Sequence, residues 1–199
     1  MVHQSIVGCP KALLFDMDGT LTRPALDFPR IKAEMGIGSR PILEALAELS
    51  GKRRDKALAV LHRFEEIAAS ESELNEGCKE LLAVVKARSL QTALITRNSR
   101  RSVETVLRRH GLTFGALVTR EDGRHKPHPD PLRLACAQLH VAASDAWMIG
   151  DGQYDVEAGV AAGIRTVWIS HRREKEFAAE PWMTVRDLKE LTGLLEKCH

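Results

Sequence analysis

Residues 12–20 read Ala12-Leu13-Leu14-Phe15-Asp16-Met17-Asp18-Gly19-Thr20. Four apolar residues run directly into two carboxylates one residue apart. A short apolar run closed by a turn reads as a strand buried on both faces, the kind found in parallel sheets. In open parallel sheets, ligands bind beyond the carboxyl ends of the strands. Asp16 and Asp18 repel each other there, so a purely structural turn gains nothing from the pair. Gly19 permits a tight turn whose N–H groups are free to face an anion.

Similar apolar runs recur at Thr92–Ile95, Ala116–Val118, Ala146–Ile149 and Thr166–Ile169. Amphipathic stretches lie between them: Cys78–Arg88, Ser99–His110, Pro131–Leu139, Val156–Ala162 and Thr184–Leu195. Strands alternating with helices predict βαβ units and a parallel sheet covered on both faces. The alternation breaks once. Residues 22–76 contain no convincing strand, and 29–36, 41–50 and 54–69 read as helices parted by Gly36-Ile37-Gly38 and Ser50-Gly51. A βα connection is normally a few residues and a helix, so this stretch reads as an insert. The expected fold is α/β: a Rossmann-like, doubly wound parallel core made of residues 1–21 and 77–199, with a small all-helical insertion at 22–76.

The 199 residues are 44% hydrophobic and 28% charged, with a net charge of +2, which fits a globular protein and not a disordered one. That balance lacks the basic excess of an electrostatic nucleic-acid binder. Lys52-Arg53-Arg54 and Arg172-Arg173 have acids beside them and read as solvated helix faces. No apolar run reaches the roughly 18 residues of a membrane span, and residues 1–10 show no apolar leader. Cys9, Cys78, Cys136 and Cys198 form no C-x-x-C pair and read as reduced thiols of a cytoplasmic protein. The eight histidines are scattered, and His110, His125, His128 and His140 read as surface or turn residues.

Four segments in order resemble the motifs of the haloacid dehalogenase superfamily. Asp16-Met17-Asp18-Gly19-Thr20-Leu21 is similar to its first motif. Thr96 ends the second strand. Lys126 precedes Pro127, and Gly150-Asp151-Gly152-Gln153-Tyr154-Asp155 closes the fourth strand. The resemblance spans residues 11–170. Within the superfamily the chain looks like the branch of phosphoglycolate phosphatases and β-phosphoglucomutases, in which the helical insert is a cap over the active site.

The resemblance implies phosphoryl transfer through an aspartyl-phosphate. Asp16 would be the nucleophile and Asp18 the general acid/base. An aspartate at position 18 favours phosphate esters over carbon–halogen bonds, because a halide leaves without a proton. Thr96 and Lys126 would hold the phosphoryl oxygens, with Met17, Gly19, Arg97, Asn98 and, from the first hinge, Arg23 as further phosphate or substrate contacts. Mg²⁺, a hard cation suited to oxygen ligands, would sit on the Asp16 and Asp151 carboxylates and the Asp18 backbone carbonyl, with Asp155 behind them. Two positions depart from the common pattern. Arg97 follows Thr96 where relatives often have Asn, and its side chain either adds a contact or points to solvent. Gly152 follows Asp151 where relatives often have Ser.

The expected function is therefore a Mg²⁺-dependent phosphatase of small phosphate monoesters, phosphoglycolate-like or sugar-phosphate-like. A phosphomutase would differ by returning the phosphoryl group to its intermediate instead of to water. A non-enzymatic phospho-acceptor or binding protein would release no phosphate. The expected partners are a small phosphate ester, no nucleic acid and no membrane, with the chain a monomer or weak homodimer. Lys32 and Arg40 join Arg23 as cations of the insert able to face a substrate.

Overall fold

The structure, a computed structural model, describes residues 8–198; the leader reading of residues 1–7 lies outside them. In chain order the elements are β1 (Ala12–Phe15), α1 (Phe28–Met35), α2 (Ile42–Glu48), α3 (Gly51–Glu71), α4 (Cys78–Ala87), β2 (Gln91–Ile95), α5 (Arg100–His110), β3 (Ala116–Val118), α6 (Asp130–Leu139), β4 (Ala146–Gly150), α7 (Gln153–Ala162), β5 (Arg165–Ile169), β6 (Met183–Val185) and α8 (Leu188–Glu196).

Every residue of β1 and β4 is buried, because each strand has neighbours on both sides. The sheet is parallel throughout, in the order β3-β2-β1-β4-β5-β6. This is the doubly wound arrangement, whose ligand crevice lies at the carboxyl ends of the central strands where the order reverses. Phe15 is in register with Leu94 on one side and Ile149 on the other. The residues that follow these strands are thus brought to one end of the sheet. One face of the sheet buries Leu14, Ile95 and Met148 with Leu132, Ala135 and Leu139 of α6.

The chain divides into two compact units. The first holds the sheet: residues through Arg23, Glu73–Arg97 and Leu112 onward. The second is helical and joins Pro24–Ser72 to Asn98–Gly111, so α5 groups with the insert. Its core is Ile31, Ile37, Ile42, Ala45, Leu46, Ala57 and Leu61. The α3–α5 contact accounts for the grouping: Ser102 Oγ donates to Glu65 O at 3.2 Å and Arg109 Nε to Ser72 O at 3.0 Å. No helix among the described residues is long and apolar enough to cross a membrane.

Two sequence expectations are corrected. Residues 184–187 do not begin a helix. Ile169 pairs with Val185 in β6, and the Asp187 carboxylate then caps α8, accepting from Glu190 N–H at 2.9 Å. Trp182, just before β6, packs on Trp147 with ring centroids 4.9 Å apart. The cysteines, secondly, are not all thiols: Cys9 and Cys198 form a disulfide, their Cα atoms 5.6 Å apart, while Cys78 and Cys136 are free and buried. Arg88, at the end of α4, donates to the carbonyls of Glu196 and Cys198 and so holds the chain end beside the residues leading into β1.

Candidate active site

The turn after β1 is built from main-chain bonds. Asp16 N–H donates to Ile149 O at 2.9 Å, so the β1–β4 pairing continues to the first carboxylate. The Met17 carbonyl then accepts from Thr20, Leu21 and Thr22 N–H and from the Thr22 hydroxyl at 3.2 Å. Gly19 N–H is turned inward onto Thr22 O at 2.8 Å, instead of facing an anion as the loop reading expected. Gly19 has φ +86°, and a Cβ there would lie 2.5 Å from the Asp151 carboxylate. Only a residue without a side chain lets Asp151 lie against the turn. Between α3 and α4, the Asn75 amide donates to the carbonyls of Gly19 (3.1 Å), Thr20 (2.8 Å) and Thr22 (3.1 Å). Nothing in the sequence around Asn75 signals this role.

Lys126 is the hub of the site. Its ammonium is buried and donates to Asp16 Oδ1 at 2.6 Å, Asp155 Oδ1 at 2.6 Å and Ile95 O at 2.8 Å. All three hydrogens of the ammonium are used. Burial pushes the Asp16 carboxyl well above its usual range and Asp155 adds to this, while Lys126 pulls the other way. Burial alone would lower the Lys126 pKa; Asp155 and Asp16 outweigh it and raise it. Asp155 sits in the first turn of α7, with its second oxygen accepting from Gly152 N–H at 3.0 Å. Gly150 makes room for it: a Cβ at 150 would lie 2.3 Å from the Asp155 side chain.

Oxygens of Asp16, Asp151 and Asp155 lie within 4.8 Å of one another. An octahedral Mg²⁺ with ligands at about 2.1 Å spans about 4.2 Å between opposite oxygens. The all-oxygen donor set, gathered within 4.8 Å, is of the size a hard cation takes. Asp16 and Asp151 are the carboxylates best able to supply ligands, since both Asp155 oxygens already accept hydrogen bonds. Asp18 is half-buried beside them and accepts from the Thr22 hydroxyl at 3.3 Å.

The expectation of a helix at Arg173 is corrected, while its exposure to solvent stands. It lies in the loop after β5, and its guanidinium donates to Asp151 Oδ2 at 2.9 Å. Burial raises the Asp151 pKa, and Arg173 works against that shift. His171 also approaches the site, with Nε2 at 2.6 Å from Gly19 O; since a carbonyl only accepts, Nε2 carries the proton. His171 and Arg172 have φ of +50° and +62°, a backbone region that costs non-glycine residues about 1–3 kcal/mol each. A histidine and two arginines in a run of charges carried no sequence signal for either contact.

Thr96 is 5% exposed at the end of β2, its N–H on Val118 O at 2.9 Å. Arg97 turns inward within the sheet unit. Its guanidinium donates to the Lys126 carbonyl and lies 4.3 Å from the Tyr154 ring centroid. Asn98 is buried and opens the segment grouped with the helical unit. Arg23 pairs with Glu73 at 3.1 Å. Lys32 donates to Ser39 O, and Arg40 to Ile37 O and Glu48.

A family model of haloacid dehalogenase-like hydrolases matches residues 25–169. The N-acetylmuramic acid 6-phosphate phosphatase of Pseudomonas aeruginosa is 32% identical over 185 residues, 81% of this chain and 82% of that protein. The pyrophosphatase PpaX of Bacillus velezensis is 30% identical over 209 residues, 92% of this chain and 96% of that protein. A hydrolase structure from Pseudomonas syringae superposes with a TM-score of 0.78 at 18% identity, over 94% of this chain and 98% of that one. At that identity the likeness is one of fold.

Proposed function

Since the chain belongs to the haloacid dehalogenase-like hydrolase family, we propose that it is a Mg²⁺-dependent phosphatase of small phosphate monoesters that works through an aspartyl-phosphate at Asp16. The observation that carries this reading is the buried ion pair of Lys126 with Asp16, 2.6 Å apart, at the carboxyl ends of the central strands. A carboxylate that only stabilised the fold would gain little from burial beside a second one, Asp155. A nucleophile attacking a phosphoryl dianion needs such an ammonium, because charge must be offset where both anions meet. The names of the relatives above, a sugar-phosphate phosphatase and a pyrophosphatase, support phosphoryl chemistry.

In the proposed reaction an Asp16 carboxylate oxygen bonds to phosphorus as the bond to the ester oxygen breaks. Asp18 gives its proton to the departing alkoxide. As a carboxylate, Asp18 then takes a proton from water, whose oxygen bonds to phosphorus while the Asp16–phosphorus bond breaks. Inorganic phosphate leaves and Asp16 is restored. Lys126 offsets charge on a phosphoryl oxygen throughout, and Asp155 holds Lys126 in place. A Mg²⁺ ion held by Asp16, Asp151 and the Asp18 carbonyl would supply further charge neutralisation when bound.

The test is phosphate release from a panel of phosphometabolites with Mg²⁺, against an Asp16→Asn control. Release that requires both Mg²⁺ and Asp16 supports the phosphatase, and the ranking of esters identifies its substrate class. Folded protein that releases nothing from any ester would sink the proposal.

A further inference from the structure

The end of β5 and the loop after it make contacts that the reaction above does not use. Trp168 Nε1 donates to Asp151 O at 3.0 Å. Arg173 Nη2 reaches Asp151 Oδ2 at 2.9 Å, and His171 reaches Gly19 O at 2.6 Å. The loop is also closed on itself. Arg172 N–H donates to Ser170 Oγ at 3.2 Å, and Ser170 O accepts both Arg173 N–H at 2.9 Å and Arg173 Nε at 3.1 Å. The Arg173 side chain is therefore held at two points, Ser170 O and Asp151.

We infer that Arg173 and His171 are positioning residues for the divalent cation. Arg173 fixes one oxygen of Asp151 and leaves the other for the ion, while His171 holds the Asp16–Asp18 turn against Asp151 through the Gly19 carbonyl. This rests on the proposal that Asp16 and Asp151 hold a cation. A ligating carboxylate that must first be oriented binds more weakly, and loss of such an outer partner typically costs 10- to 100-fold in metal affinity. Repulsion between guanidinium and cation opposes this. The Arg173 side chain is 54% exposed and screened by water, whereas that of Asp151 is 15% exposed. Orientation therefore outweighs repulsion.

The experiment is isothermal titration of metal-free protein with Mg²⁺, and with Ca²⁺ as a second hard cation, beside thermal melts in EDTA. Asp151→Asn is the control for the cation site itself. Arg173→Ala should weaken binding about 10- to 100-fold, with part of the loss restored in Arg173→Lys. His171→Ala should weaken it about fivefold, the scale of one hydrogen bond. The melts in EDTA should barely move, because the Arg173 side chain is more than half exposed. If Asp151→Asn binds as well as wild type, the cation reading fails and this inference with it. If Asp151→Asn loses binding but Arg173→Ala binds equally well or more tightly, the positioning role alone is overturned. A lowered melting point with unchanged affinity overturns it too, as that is what a purely structural loop would give.

Discussion

Replacing Lys126 with methionine separates its electrostatic role from its packing, since the side chains are similar in length and only the charge is lost. The ammonium is 2% exposed and lies 2.6 Å from each of two carboxylates. Coulomb's law at an effective dielectric of about 20 gives about 6 kcal/mol per contact. Desolvation of the buried ions removes much of this, and breaking a buried pair typically costs about 3–5 kcal/mol. For a chain of this length that is a fall of roughly 6–20 °C in melting temperature. The loss must depend on pH. The folded pKa of Asp16 already lies above its unfolded value because burial disfavours the carboxylate. Its folded state thus binds more protons than the unfolded chain between those values, and stability falls as pH rises through that window. Lys126 supplies the pull that limits this shift, so Lys126→Met raises the Asp16 pKa further and extends the window upward. Its own raised pKa keeps the wild-type ammonium charged across neutral pH. Melts of Lys126→Met and wild type in EDTA should therefore differ more as pH rises above the ordinary carboxylate range and converge as pH falls towards it. A difference that stays below about 1 kcal/mol at every pH would refute the reasoning, as would one that does not change with pH. Turnover should fall ~100- to 1000-fold in the same variant, as for loss of a preorganised charge-stabilising donor.

Gly19→Ala places a methyl group 2.5 Å from the Asp151 carboxylate at a φ of +86°. It should cost about 1–3 kcal/mol and weaken Mg²⁺ binding more than about tenfold; unaltered calorimetric affinity would show that Asp151 holds no cation. Arg97→Ala frees the Lys126 carbonyl and the Tyr154 ring. It should lower kcat about tenfold, a cost of about 1.4 kcal/mol in the barrier, with KM little changed; steady-state kinetics showing full kcat would mean Lys126 is held without it. Reducing Cys9–Cys198, which closes a separation of 189 residues, should lower stability by about 2–5 kcal/mol. Denaturant midpoints that coincide with and without reductant would contradict the bridge.

Five of the six strands are legible because each is a buried apolar run ending in a polar turn. β6 is not: three residues at the sheet edge, with Thr184 exposed, continue smoothly into the pattern of α8. The chemical residues are legible for a different reason. Asp16, Lys126, Asp151 and Asp155 stand out because the segments that hold them resemble the haloacid dehalogenase motifs in order, and the proposed reaction calls for carboxylates and an ammonium there. Asn75, His171 and Arg97 are not prescribed. Each donates to a backbone carbonyl, and any well-placed donor would serve a carbonyl equally well. Their partners are also distant, Gly19 being 152 residues from His171, so no periodicity marks the contact. Cys9 and Cys198 are hidden likewise, since they lie 189 residues apart and no local spacing marks their pairing. Arg173 falls between the classes. Its charge is required by Asp151, but it enters the site only because His171 and Arg172 adopt a backbone usually left to glycine. What escapes a sequence reading here is the set of side chains that hold the reacting groups still, for which geometry, and not chemical identity, is the requirement.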